Sequence, residues 1–90
     1  MAWAIELHRD AERDLAKLGG ENARRVLKFL HQRLESIEDP RSIGEALHGP
    51  VLGKYWKYRV GDHRLIADIQ DQVIRIVIVR IGHRRQVYVR

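Results

Sequence analysis

The stretch "KYWKYRVGDHRLIADI", residues 54–69, constrains this chain more than any other, because a two-residue loop fixes what lies on either side of it. Gly61 at the first central position of such a loop suits a type II′ turn. With Gly61-Asp62 as the loop, Val60 pairs with His63 and Arg59 with Arg64. Side chains alternate along a strand, so Tyr55, Lys57 and Arg59 share one face and Trp56, Tyr58 and Val60 the other. Arg64 and Ile66 then join Lys57, while Leu65 joins Trp56 and Tyr58 as core. The hairpin gathers three cations on one face, although like charges side by side on a sheet are destabilising. An anion would complete such a cluster. Asp62, Asp68 or solvent would serve a purely structural one.

The flanking segments supply a layer to cover the apolar face. Residues 2–7 read as a short strand. "DAERDLAKL" (10–18) sets Ala11, Leu15 and Leu18 at helical spacing, with Asp10 as the candidate cap and Gly19-Gly20 as the break. A second helix is expected over 21–37, with Ala23, Val26, Leu27, Leu30, Leu34 and Ile37 on one face. The two glycines between the helices predict an antiparallel helical hairpin. Residues 38–50 connect, and the spacing of Ser42 and Glu45 predicts one helical turn there. Strands are expected over 54–60, 63–70 and 73–81. The sum is a single α+β domain, 1–90, of order β-α-α-β-β-β: an antiparallel meander with a helical hairpin on one face and the other face open.

Charge is distributed unevenly over these elements. Residues 1–53 hold eight Lys/Arg and nine Asp/Glu, a net of −1, and residues 54–90 hold nine Lys/Arg and three Asp, a net of +6. A basic sheet region favours a polyanionic partner such as nucleic acid. The absence of Cys excludes disulfides and thiolate chemistry and fits a reducing compartment. "MAWAIELHRD" lacks the pattern of a signal peptide, and "VIRIVIVRI" (73–81) is too short and too charged to span a bilayer. A cytoplasmic location without membrane contact is expected.

The chemistry open to such a chain is narrow. Histidines 8, 31, 48, 63 and 83 are scattered without metal-ligand spacing, and the acids form no obvious dyad. "GPVLGKY" (49–55) lacks the length and the hydroxyl of a phosphate loop. After Gly82 come Arg84, Arg85 and Tyr88, which can curl back over the open face. Arg presents a planar fork suited to phosphate, and Tyr a stacking surface and a hydroxyl. Phosphoryl transfer by cationic stabilisation, without metal or cofactor, is feasible on RNA because its own 2′-OH is the nucleophile.

The order "LHGPVLGKYWKYRVGDHRLIADI…VIVRIGHRRQVY", together with "ERDLAKL" near the start, resembles the RelE family of the RelE/ParE toxin superfamily over essentially the whole chain. The resemblance implies a cytosolic toxin of a type II toxin–antitoxin system that cuts mRNA in the ribosomal A site without metal. The 2′-OH attacks the adjacent phosphate and the 5′-oxygen leaves. It implies a RelB-like antitoxin partner, hence a toxin–antitoxin hetero-oligomer, beside the ribosome and mRNA. Lys57 and Arg64 match the family's basic hairpin residues, Arg84 the arginine after the last strand, and Tyr88 the terminal tyrosine. Lys54, Arg59 and Arg85 are the further RNA-binding positions. Some members carry another lysine two residues before the position of Lys57, where this chain has Tyr55. His83 is the candidate to replace it in proton transfer. A ParE-like toxin that inhibits DNA gyrase by protein binding, or an inactive RNA- or antitoxin-binding domain, would share the same fold.

Overall fold

A computed structural model describes residues 2–85. The chain runs β1 (Ala4–Leu7), α1 (Arg9–Lys17), α2 (Gly20–Phe29), β2 (Glu45–Ala46), β3 (Trp56–Val60), β4 (His63–Gln70) and β5 (Arg75–His83). The five strands form one sheet in the order β1-β5-β4-β3-β2. The meander β3-β4-β5 is antiparallel with the expected hairpin register, Arg59 opposite Arg64 and Val60 opposite His63. Gly61 turns that hairpin at φ 61°.

Three departures from expectation have identifiable causes. The sheet is mixed, because β1 lies parallel to β5, with Ile5 opposite Ile76 and Leu7 opposite Ile78. A parallel neighbour needs a long crossover, and α1, α2 and the following meander supply it. Second, no helical turn forms at Ser42. Its amide and hydroxyl both turn back to the Asp39 carbonyl, and Glu45–Ala46 pairs with β3 as a short edge strand. Third, α1 is capped by His8, whose ring accepts from the Asp10 amide, rather than by Asp10.

The second helix also ends differently. Beyond Phe29, residues Leu30–Leu34 form a π turn, in which the Glu35 amide donates to the Leu30 carbonyl. Val26, Leu30 and Leu34 are buried and fall four residues apart. Four residues overshoot one 3.6-residue turn, and the wider turn absorbs that overshoot. Leu27, expected on the apolar face, is 39% exposed. Phe29 packs inward instead, its ring 5.7 Å from that of Tyr58.

The core lies between the helices and one sheet face: Trp3, Ala11, Val26, Leu30, Leu34, Tyr58, Leu65, Ala67, Ile76, Ile78 and Ile81. The spacing of the β5 isoleucines is informative. Leu65 faces Ile81 and Ala67 faces Ile78, so β5 carries an extra residue, a bulge, between those pairs. Strict alternation from Ile78 would drive Arg80 into the core. The bulge keeps Ile81 inside and leaves Arg80 opposite Ile66, on the other face.

Candidate functional site: a basic sheet face and an opposed histidine pair

On the face away from the core cluster, the hairpin brings Lys57, Arg59 and Arg64 together as the alternation requires. Lys57 sits opposite Ile66 and Arg59 opposite Arg64. Gly44, Glu45, Lys57 and Arg59 line a cleft of about 260 Å³. Two expectations about this face need correction. Arg64 is not exposed: it is 7% accessible, and its Nη1 donates to the carbonyls of Gly61 at 3.2 Å and His63 at 3.0 Å. β4 is a central strand, so its side chains are walled by those of β3 and β5, and Ile66 is buried on the same face. Nor does Lys57 stand uncompensated. Its Nζ lies 3.7 Å from Glu45 Oε2 across the β2–β3 pair.

Glu45 owes its place to Gly44. Gly44 has φ 80°, and a Cβ there would collide with the Lys57 carbonyl and the Trp56 indole nitrogen. Only glycine allows so close an approach. The indole donates to the Ile43 carbonyl at 2.7 Å, and the Tyr58 hydroxyl donates to the Pro40 carbonyl. Burial pushes the Tyr58 phenol far above its ordinary pKa, so it stays a neutral donor. Arg41 completes the anchoring of this connection with a two-pronged contact to Asp71 at 2.9 and 3.0 Å.

The other sequence-derived candidates scatter. Lys54 precedes β3, exposed, with its ammonium 5.1 Å from the Tyr55 ring. Arg84 and Arg85 are exposed at the end of β5, where the Arg84 amide donates to the Asp62 carbonyl. Tyr88 lies outside the described residues. His83 is not beside Lys57. It pairs with His63, two residues along each strand from Leu65–Ile81, and so projects to the helix side of the sheet. The two rings stand edge to face at 6.1 Å.

The pair is not legible from local sequence, because the residues lie far apart in the chain and meet only through the bulge that turns His83 inward. With Asp14, Lys17, Leu18, Arg80, Ile81 and Gly82, the pair lines a second cleft of about 360 Å³. Asp14 is committed there: Oδ2 accepts from Arg80 Nε at 2.8 Å and from the Ile81 amide at 2.9 Å. Burial opposes its charged form, but Arg80, the Ile81 amide and Lys17 outweigh burial and hold the carboxyl below its usual range. Among the described residues, no three His, Asp or Glu side chains gather into a metal-binding cluster.

A small α+β protein, with helices on one sheet face and cationic side chains concentrated on the other, is the class these features define. A family model described as the ParE toxin of the type II toxin–antitoxin system parDE matches residues 5–88. Toxin RelG of Mycobacterium tuberculosis is 30% identical over 88 residues, covering 98% of each chain. The toxin–antitoxin complex RelBE2 from the same organism contains a chain of 28% identity and TM-score 0.82, matched over 92% of this chain and 99% of that one. The archaeal RelE–RelB complex from Pyrococcus horikoshii shares the fold at 24% identity and TM-score 0.71, over 97% of this chain and 100% of that one. The chain therefore belongs to the RelE/ParE superfamily of type II toxin–antitoxin toxins.

Proposed function

We propose that this toxin is a ribosome-dependent endoribonuclease that cleaves mRNA in the A site and is neutralised by a RelB-like antitoxin. The observation that carries the reading is the convergence of Lys57, Arg59 and Arg64 on one sheet face, where Lys57 and Arg59 line a cleft. The likeness to toxin RelG and to the RelBE2 complex supports it.

In this reading the 2′-OH attacks the adjacent phosphorus, the bond to the 5′-oxygen breaks, and a cyclic 2′,3′-phosphate and a 5′-hydroxyl result. The nucleophile's proton is lost and the leaving oxygen gains one. Arg64, with Nη1 pinned on two carbonyls, is a preorganised charge for the phosphoryl oxygens. Lys57 stabilises the attacking oxygen, and an incoming phosphate competes with Glu45 for it. Arg84 and Tyr88 act from the tail, on the phosphate and the 2′-OH respectively. His83, on the far face, receives no proton-transfer role. Lys54, Arg59 and Arg85 hold the strand.

The test is mRNA cleavage mapped on programmed ribosomes, with gyrase supercoiling assayed beside it. Cleavage in the A site that is lost in Lys57→Ala supports the reading. Inhibited supercoiling with intact mRNA would instead favour the ParE-like alternative, for which the matched family model speaks.

A further inference from the structure

We propose that the helix-side cleft at the His63–His83 corner is a second phosphate-binding subsite, which holds the backbone of the same RNA strand after it rounds the end of the sheet. The proposal takes from the nuclease reading only the identity of the strand.

The chemistry of the cleft selects an anion. Its one lining carboxylate, Asp14, already accepts from Arg80 through both oxygens, at 2.8 and 3.3 Å, and from the Ile81 amide. No carboxylate is left to hold a cation. Each remaining polar side chain, Lys17, His63 and His83, can donate to an anion. Lys17 is exposed, and its charge reaches Asp14. The Arg85 amide donates to His83 Nδ1 at 3.3 Å. With Nδ1 accepting, the donor nitrogen of a neutral His83 ring would be Nε2. His63 stands beside it at 6.1 Å. Arg13 and Asp10 on the adjoining surface of α1 offset each other.

Placement makes the cleft a continuation of the basic face. The register row Arg59–Arg64–Gly82 belongs to the Lys57 face, and the next row, Val60–His63–His83, belongs to the helix side. The two clefts therefore open on opposite faces of the same sheet end. Exposed Arg84 and Arg85 stand at the rim between them. A polyanion leaving Arg59 would cross these arginines and meet His83, His63 and Lys17 without passing an uncommitted acid other than Asp62 in the hairpin loop.

The experiment is a titration of the full chain followed by NMR of the imidazole and backbone resonances. Inorganic phosphate and a single-stranded 12-mer oligoribonucleotide are the probes, against chloride at matched ionic strength. Both probes should shift His63 and His83, and the oligomer should also shift Lys57 and Arg59. Lys17→Gln and His63→Gln should each weaken the oligomer about 3- to 10-fold, and Lys17→Gln should flatten the salt slope by about 0.7, one phosphate contact on a single strand. Silent His63 and His83 resonances, with Lys57 and Arg59 still shifting, would overturn the proposal and leave the nuclease reading intact. The converse, a responsive histidine pair in a protein that cuts no mRNA on ribosomes, would sink the nuclease reading and keep the subsite. Unchanged oligomer affinity in both variants also overturns the proposal.

Discussion

Asp14 and Arg80 close the edge of β5 where β1 runs out. β1 ends its pairing at Leu7–Ile78, and beyond that point the Ile81 amide donates to the Asp14 carboxylate, which Arg80 also grips at 2.8 Å. A side chain from α1 thus does the work of a missing strand. The folded state lowers the Asp14 pKa, so its contribution is fully present above the unfolded value near 3.9 and is lost as pH falls through the folded value. Asp14→Asn should cost about 1–3 kcal/mol at neutral pH and flatten the acid limb of the stability curve below pH ~4. Urea unfolding of both proteins between pH 2 and 7 measures it. Parallel acid limbs would contradict the assignment.

Leu34 is fully buried where the π turn meets the core, and Leu27 is 39% exposed on the same helix. Leu34→Ala should destabilise by ~2–5 kcal/mol. Leu27→Ala should stay within about 1 kcal/mol, since little apolar surface is lost to water. Chemical denaturation of the pair distinguishes this face from the one that simple helical periodicity predicts, on which both would be equally costly.

Arg64→Ala should affect both folding and function. The guanidinium is buried and satisfies two hairpin carbonyls, so its loss should lower stability by ~1–3 kcal/mol. In the proposed reaction it should also slow cleavage by about 10²–10³. Thermal melts beside single-turnover cleavage separate the two effects. A variant that melts like the parent would show that the carbonyl contacts carry no weight.

Glu45→Gln tests the competition at Lys57. The carboxylate is 63% exposed and 3.7 Å from Lys57 Nζ, so its removal should barely change stability. RNA should bind about 2- to 5-fold more tightly, because an exposed like charge is removed from the path of the phosphates. Weaker binding would mean that Glu45 positions Lys57 for RNA instead of competing for it.

Gly44→Ala should be more damaging than its surface location suggests. The residue is left-handed at φ 80°, and the added methyl meets the Lys57 carbonyl. The expected cost is ~1–3 kcal/mol, with β2 displaced from β3. Amide exchange along Lys57 and Trp56 reads this directly, and unaltered protection there would refute it.

Much of this arrangement was legible from local signals. Gly61-Asp62 set the register of β3 and β4, and the alternation then placed Lys57, Arg59 and Arg64 together. The stripes of Ala11–Leu15–Leu18 and Val26–Leu30–Leu34 announced the two helices. What stayed hidden was non-local. Nothing in "AIEL" says that it will lie parallel to β5 instead of joining a meander. The Ser42–Glu45 spacing suits a helix start, but pairing with β3 overrode it. The burial of Arg64 depends on neighbours from two other strands. The His63–His83 contact depends on a bulge whose signal was present all along, in the uneven spacing of Ile76, Ile78 and Ile81.

That bulge has the character of a reading-frame shift written in geometry. Up to Ile78, alternate residues of β5 address the helices, and past it the same parity addresses the opposite side. Straightening the bulge with Val79 kept in the ladder would leave every downstream side chain chemically intact and reverse its destination: Arg80 and Gly82 would turn to the helices, and Ile81 and His83 to the basic face. The two ends of one strand are thereby uncoupled. The first half can be kept for core packing while the second is assigned its surface independently, at the cost of a single unpaired position.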